Sequence, residues 1–300
     1  MNTNRCPNLH KFKSSIFEFS NKLYSKKECE NCGLIITEPS DGLSLDIYDS
    51  GHYEVKKFVI VPFIINLFDY LYIIMIMKSK GLKRHSFILD FGCGKGFFLY
   101  TLKLLGYKNI FGLETSKSRA DFSRSISGVH ISEEFYSSGK ILDRKFDQIS
   151  LIHVLEHIPS PFLFLDNIIE GAIENKGFLF IEVPNIDSYS SKIAKNYWAH
   201  FTPHFHTNHF TISSFKKYCN DRSLNFSFVG TFSFYNSAMG MTSAILSLFG
   251  YKGSIFEDLK SKKLLILFSF IILLPLSIII ELILSLLLKK GSIIKIIIYK

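Results

Sequence analysis

With 300 residues, the chain has room for one α/β domain and a small appendage, which excludes two full domains. Hydrophobic residues make up 47% and charged residues 20%, which excludes a chain too polar to bury a core. The net charge of +9, with a pI near 9.1, favours anionic partners: nucleic acid, acidic lipid or a nucleotide-linked substrate.

The first 45 residues are rich in turns, with short strand-like pieces such as Leu34-Ile35-Ile36-Thr37. They start with Arg5, Cys6 and Lys11 and no early apolar run, so they do not read as a signal peptide, and a cytosolic start is expected. Of five cysteines, Cys6, Cys29 and Cys32 lie in this stretch. In a reducing compartment such clustering points to metal before disulfides. Cys29-Glu30-Asn31-Cys32-Gly33 has the C-x₂-C-G shape of a zinc knuckle, and Cys6 and His10 could complete a tetrahedral Cys₃His site. Residues 46–85 read as a linker or lid. Within them 58–80 form a helix with Ile64, Leu67, Phe68, Leu71 and Met75 at helical spacing, its other face broken by Asn66 and Asp69.

From residue 86 to 239 strands and helices alternate. Phe87–Asp90, Ile110–Leu113, Val129–Ile131, Phe146–Ile152, Gly177–Val183 and Phe226–Phe232 read as strands. Residues 97–105, 161–174 and 212–222 read as helices, and Ile293–Tyr299, apolar except Lys295, as a closing strand over 291–300. Such alternation predicts a mostly parallel sheet covered on both faces.

The sharpest motif is Ile88-Leu89-Asp90-Phe91-Gly92-Cys93-Gly94-Lys95-Gly96, a buried strand that turns through glycines into a helix. Glycine permits positive φ and close approach of the backbone to a ligand, and the helix start presents free N–H groups. Glu114 ends the next strand 18 residues past Gly96, near the ~20 expected of an acid that grips ribose hydroxyls.

At these residues the chain resembles the class I, Rossmann-like S-adenosylmethionine (AdoMet) methyltransferases. Phe146-Asp147-Gln148-Ile149, Val154-Leu155-Glu156-His157 and the Val183-Pro184-Asn185 end of strand five extend the likeness over about 85–235 and the last strand. The resemblance implies a seven-stranded sheet with an antiparallel last strand. It implies AdoMet as cofactor, on Asp90, Gly92, Cys93, Gly94, Gly96, Glu114, Thr115 and His153. The methionine end would lie near Asp90 and Gly92, the ribose at Glu114, and the adenine near strand three, with Glu133 and Glu134 as its candidate acids. The cysteine head is similar to the zinc-binding head before many bacterial sugar and cell-surface methyltransferases, with Tyr48 and Tyr53 in the segment that follows.

Trp198–Thr211 holds four of the ten histidines and falls where open α/β sheets place ligands. By the resemblance, His206 is the first candidate for general base or acceptor contact and His204 the second. Loop packing by these imidazoles is the alternative. His153-x-x-Glu156-His157 stands where some quinone-type O-methyltransferases carry E-x-x-E-H and bind a divalent ion. With His153 in place of the first Glu, it reads as a turn that contacts AdoMet and starts a helix.

Residues 240–290 form an insertion that carries eight Lys and three acids together with the final strand. Within it, 264–288 are nearly uncharged, with Glu281 the one charge, and are divided by Pro275. Lysines flank both ends, at Lys262, Lys263, Lys289 and Lys290. Basic residues at both ends predict both ends cytosolic, hence a re-entrant hairpin or a monotopic anchor on an anionic membrane surface, with two buried helices as the alternative. The function expected is methyl transfer to a small molecule, sugar or lipid-linked glycan at the cytoplasmic membrane face. The alternatives are an RNA methyltransferase, disfavoured by His153-Val154-Leu155-Glu156 after strand four, and a non-catalytic AdoMet-binding scaffold.

Overall fold

The computed structural model describes residues 12–19, 22–40, 60–136, 138–261 and 263–300. Cys6, His10, Tyr48 and Tyr53 lie outside the described residues.

In chain order the head holds β1 (Phe12–Phe19), β2 (Lys22–Cys29) and β3 (Ile35–Pro39). Then follow α1 (Ile60–Ser79), β4 (Ile88–Phe91), α2 (Phe97–Leu104), β5 (Ile110–Leu113), α3 (Lys117–Ser127), β6 (His130–Ser132), β7 (Phe146–Ile152), α4 (Pro161–Asn167) and β8 (Ile173–Pro184). The last part holds α5 (Tyr189–Ala194), β9 (Asn208–His209), α6 (Ile212–Asp221), β10 (Asn225–Gly230), α7 (Phe234–Leu248), α8 (Ile255–Lys260), α9 (Leu264–Ile283) and β11 (Ile293–Tyr299).

Seven strands form the main sheet in the order β10-β11-β8-β7-β4-β5-β6. Neighbours from β8 to β6 are parallel, while β11 runs antiparallel between β10 and β8. All four residues of β4 are buried, as a central parallel strand covered on both faces requires. One face packs on α4 and α6 through Phe162, Leu165, Phe215 and Tyr218, and the other on α1 and α2 through Ile73, Met77, Phe98 and Leu102.

Lys295, the one polar residue expected in β11, is fully buried. It pairs in register with Glu182 of β8, and its Nζ lies 2.9 Å from Glu182 Oε2 and donates to Phe232 O at 2.7 Å. A buried lysine persists only with such partners.

One expectation changes, and the structure fixes the orientation of α1, which its spacing left open. The apolar stripe of α1 that carries Ile64, Phe68, Leu71 and Met75 is the exposed one; Ile73, Ile74 and Met77 face the core. Asp69 does not break a face either: its carboxylate caps α7, accepting the N–H groups of Phe234 at 2.6 Å and Tyr235 at 3.0 Å. The apolar run is not divided at Pro275, which sits inside one continuous helix from Leu264 to Leu288. Proline forfeits a single backbone hydrogen bond, and contacts along α7 hold the helix together, among them Thr242 Oγ1 and Ser277 Oγ at 2.9 Å. Glu281 accepts the Ser292 N–H at 3.0 Å, which ties the helix end to the start of β11. The reading as two helices meeting at a turn is therefore replaced by one helix of ~37 Å.

The head is stitched to the core. Its strands form a second sheet, β1-β2-β3-β9, whose last member comes from the histidine segment. Ile35 pairs with His209, and Thr37 Oγ1 donates to His206 O at 3.0 Å. At the Cys29–Cys32 turn Gly33, at φ 71, donates to Cys29 O at 2.9 Å, and the Cys29 N–H donates to Leu34 O at 2.9 Å.

Candidate active site

The carboxyl ends of β4 and β5 build one end of the site. Gly92, Gly94 and Gly96 all have positive φ. Two of them show different reasons for glycine. A Cβ on Gly96 would overlap Ser123 Oγ, so α2 and α3 can approach only without it. A Cβ on Gly94 would meet nothing within 4 Å, so the turn there faces open space. The Gly94 N–H donates to Glu114 Oε2 at 2.9 Å, and the Ser116 N–H to Glu114 Oε1 at 2.9 Å. The glycine turn and the strand-ending acid therefore face each other.

Asp90 is buried behind the turn and accepts from Ser150 Oγ at 2.7 Å. Burial pushes its carboxyl up to about 7, with Glu114 adding to the rise against the Ser150 hydrogen bond. Cys93 is also buried; its Sγ lies 3.8 Å from Ser123 Oγ, and burial pushes the thiol above its ordinary range, so it packs as an inert small residue. Glu133, a candidate adenine acid, is instead bound to Arg124 at 2.6 Å. Glu134 borders a separate shallow pocket, and the corresponding wall of the main cavity is made by Phe135 and Tyr136.

One cavity of about 730 Å³ runs from this end, at Gly92, Glu114 and Thr115, to a chamber lined by His153, His157, His200, His204 and His206. Its size is in the ordinary range for a small-molecule site. Glu114 holds the turn through both carboxylate oxygens at the cavity's edge, and the lone pairs left on them suit the vicinal diol of a nucleoside cofactor.

His153 follows β7 at φ 55, a conformation rare outside glycine, and its N–H donates to Glu182 O at 2.9 Å. Its ring lies between two buried carboxylates, 3.2 Å from Glu156 and 3.2 Å from Glu182. Burial alone would lower its pKa, but the two acids outweigh that and raise it to about 10. Burial alone would likewise raise Glu182, but Lys295 and His153 hold it at about 2. His153 is thus a charged donor and not a base.

His206 is the opposite case. Burial, with His157 beside it, holds it well below its ordinary value. Its Nδ1 lies 2.9 Å from His200 O, and a carbonyl only accepts, so Nδ1 carries the proton and Nε2 the lone pair. His157 is set the same way by Phe205 O at 2.9 Å. The two rings meet edge to face at 4.8 Å. His204 packs between Phe19 of the head and Phe205. His209 is turned away into the head sheet, 3.1 Å from Thr37 Oγ1.

The structure therefore brings Gly92, Glu114, Thr115, His153, His204 and His206 to one cavity, while Asp90, Cys93, Gly94 and Gly96 lie behind its wall, in the turn that shapes it. Sequence reasoning missed Asn236 and His200 as chamber walls, and Glu182 as the anchor of His153. For Glu182 a signal existed: single opposite charges in two buried strands, one of them Lys295.

A family model described as "Methyltransferase domain" matches residues 76–226. No curated protein matches the chain. Among solved structures, the chain is similar to a plantazolicin methyltransferase, BpumL, in complex with a desmethylplantazolicin analogue and S-adenosylhomocysteine, at 15% identity and TM-score 0.48, over 87% of this chain and 90% of that one. It is similar to a coclaurine N-methyltransferase bound to N-methylheliamine and S-adenosylhomocysteine, at 16% identity and TM-score 0.47, over 76% and 72%. It is similar also to a possible histamine N-methyltransferase from Thermotoga maritima, at 18% identity and TM-score 0.43, over 57% and 79%.

Proposed function

The chain belongs to the methyltransferase domain family, and from that premise we propose that this AdoMet-dependent enzyme methylates a small-molecule, sugar or lipid-linked glycan acceptor in its histidine chamber, at the cytoplasmic membrane face. The observation that carries the reading is the single cavity that joins the Glu114 end to the histidine end.

Bound AdoMet supplies an activated methyl on a sulfonium leaving group. The protein must hold the acceptor in line with that methyl and, for an oxygen or carbon acceptor, manage its proton. On this reading Glu114 takes the ribose hydroxyls, and the cofactor passes the glycine turn at Gly92. Phe135 and Tyr136 offer an apolar wall for a base. His206, neutral and with Nε2 as its basic atom, is the first group for the acceptor's proton. His204 is the second.

Three observations support a membrane seat. Most of Leu264–Leu288 is exposed, with only 17% of its most apolar window buried. The exposed stripe of α1 adds a second apolar surface. Ser254, Phe256 and Glu257, in and beside α8, line the chamber directly before the apolar helix starts. A helix lying in the interface, with Lys263, Lys289 and Lys290 at its ends, would bring lipid-linked acceptors to that wall. On this reading the buried Cys29 and Cys32 would hold Zn²⁺ together with Cys6 and His10.

The test is to incubate the purified chain with methyl-labelled AdoMet and membrane, polar and RNA fractions, with and without detergent. Label is expected in a lipid or sugar fraction, and vesicles of anionic lipid should bind the chain. Label confined to RNA, or binding of nicotinamide dinucleotide in place of AdoMet, would overturn the proposal.

A further inference from the structure

We propose that Glu156, His157 and His206 form a binding site for a divalent transition-metal ion that opens into the acceptor chamber. The ligating atoms of the three side chains lie within 4.8 Å of one another. Glu156 and His157 come from the turn after β7, and His206 from the loop before β9, so the site exists only in the folded chain.

Both imidazoles are set as metal-bound histidines usually are, with the far nitrogen anchored by a second hydrogen bond. His157 Nδ1 donates to Phe205 O and His206 Nδ1 to His200 O, each at 2.9 Å, which makes Nε2 the ligating atom in both. Glu156 is 1% exposed. One of its oxygens meets His153 at 3.2 Å, and the other, Oε2, is buried with no hydrogen-bond partner among the described residues. A buried carboxylate oxygen without a donor is costly, and a cation satisfies it.

Two imidazoles and one carboxylate suit Zn²⁺ and its first-row neighbours, not Mg²⁺ or Ca²⁺, which prefer all-oxygen sets. Bonds of ~2.1 Å place tetrahedral ligand atoms about 3.4 Å apart, so the side chains would close by roughly 1 Å. His153 is not a ligand: its ring is committed to the two carboxylates. His157 and His206 both line the cavity, so the remaining coordination position faces the acceptor. On the methyltransferase reading that position takes an acceptor oxygen, and His206 then serves as ligand in place of base. The ion itself does not depend on that reading.

The test is a Co²⁺ titration of the full chain after removal of metal by chelator. Visible d–d absorption reports any four-coordinate site, and the near-ultraviolet thiolate band reports the cysteine head separately. We expect a nitrogen- and oxygen-ligated Co²⁺ in the wild type, weakened at least tenfold by Glu156→Gln and by His206→Gln. Unchanged affinity in folded variants would overturn the proposal. Should the variants not fold, proton NMR of the wild type decides. Two exchangeable imidazole N–H signals shifted by Co²⁺ are expected, and none would overturn it. AdoMet binding, measured by calorimetry on the same samples, keeps a failed metal site distinct from a failed methyltransferase assignment.

Discussion

The two ends of the cavity are built in opposite ways. The glycine end is local: a strand, a turn and the next strand's acid meet through bonds such as that from the Gly94 N–H to the Glu114 carboxylate. The histidine end is assembled from distant parts. His153 needs Glu182 of β8, which needs Lys295 of β11, and the His206 carbonyl rests on Thr37 of the head. A locally built end tolerates change elsewhere in the chain, whereas a distributed end fails when any support is removed.

The largest effect should come from the buried pair beneath the histidine end. Lys295→Met leaves Glu182 charged without its main partner, and breaking such a pair costs about 3–5 kcal/mol. Urea denaturation should show that loss, and adding Glu182→Gln should return much of it. A Lys295→Met chain as stable as wild type would show that the distributed end needs no such foundation.

The glycine end is sharpened by a pair of substitutions. Gly96→Ala forces a Cβ onto Ser123 at positive φ, and overpacking of this kind costs about 2–3 kcal/mol. Gly94→Ala has open space and costs about 1 kcal/mol of backbone strain, and on the methyltransferase reading its methyl group would crowd the cofactor. Denaturation should rank Gly96→Ala as the less stable, and AdoMet affinity per folded molecule should rank Gly94→Ala as the weaker binder. Equal behaviour in both measurements would remove the distinction.

A smaller effect is expected at Asp90. Its folded-state pKa of about 7 lies above the ordinary carboxylate value, so the folded chain keeps a proton there that the unfolded chain releases. The stability tied to this group is full below the ordinary value and is lost as pH rises through about 7. Asp90→Asn should remove that slope, which between about pH 6 and pH 8 amounts to about 1 kcal/mol in the cofactor-free chain. Denaturation at about pH 6 and pH 8 would show it, and a pH slope identical to wild type would contradict it.

How much could be read beforehand follows the same division. The motif from Ile88 to Gly96 and the acid at Glu114 are contiguous signals, and the structure joins them. The sheet order follows from strand–helix alternation together with the family resemblance. The hairpin of β1 and β2 escaped notice because β1 is exposed along most of its length, so no apolar alternation marks it. The orientation of α1 could not be read from spacing, because both of its faces are apolar and Asp69 is buried for α7's sake. Pro275 misled because a proline in a long helix signals a break only when neighbouring packing does not hold the axis. His206 was legible as a residue, but its partners Glu156 and His157 belong to a turn about fifty residues earlier, and only the fold brings them together.

The most direct measurement is calorimetric titration of AdoMet into wild type, Glu114→Ala and His206→Gln. The expected result is clear binding by wild type, loss of two orders of magnitude or more in Glu114→Ala, and near-wild-type affinity in His206→Gln with methyl transfer impaired. Retained affinity in Glu114→Ala, or equal loss in both variants, would contradict a cavity with a cofactor end and a separate acceptor end.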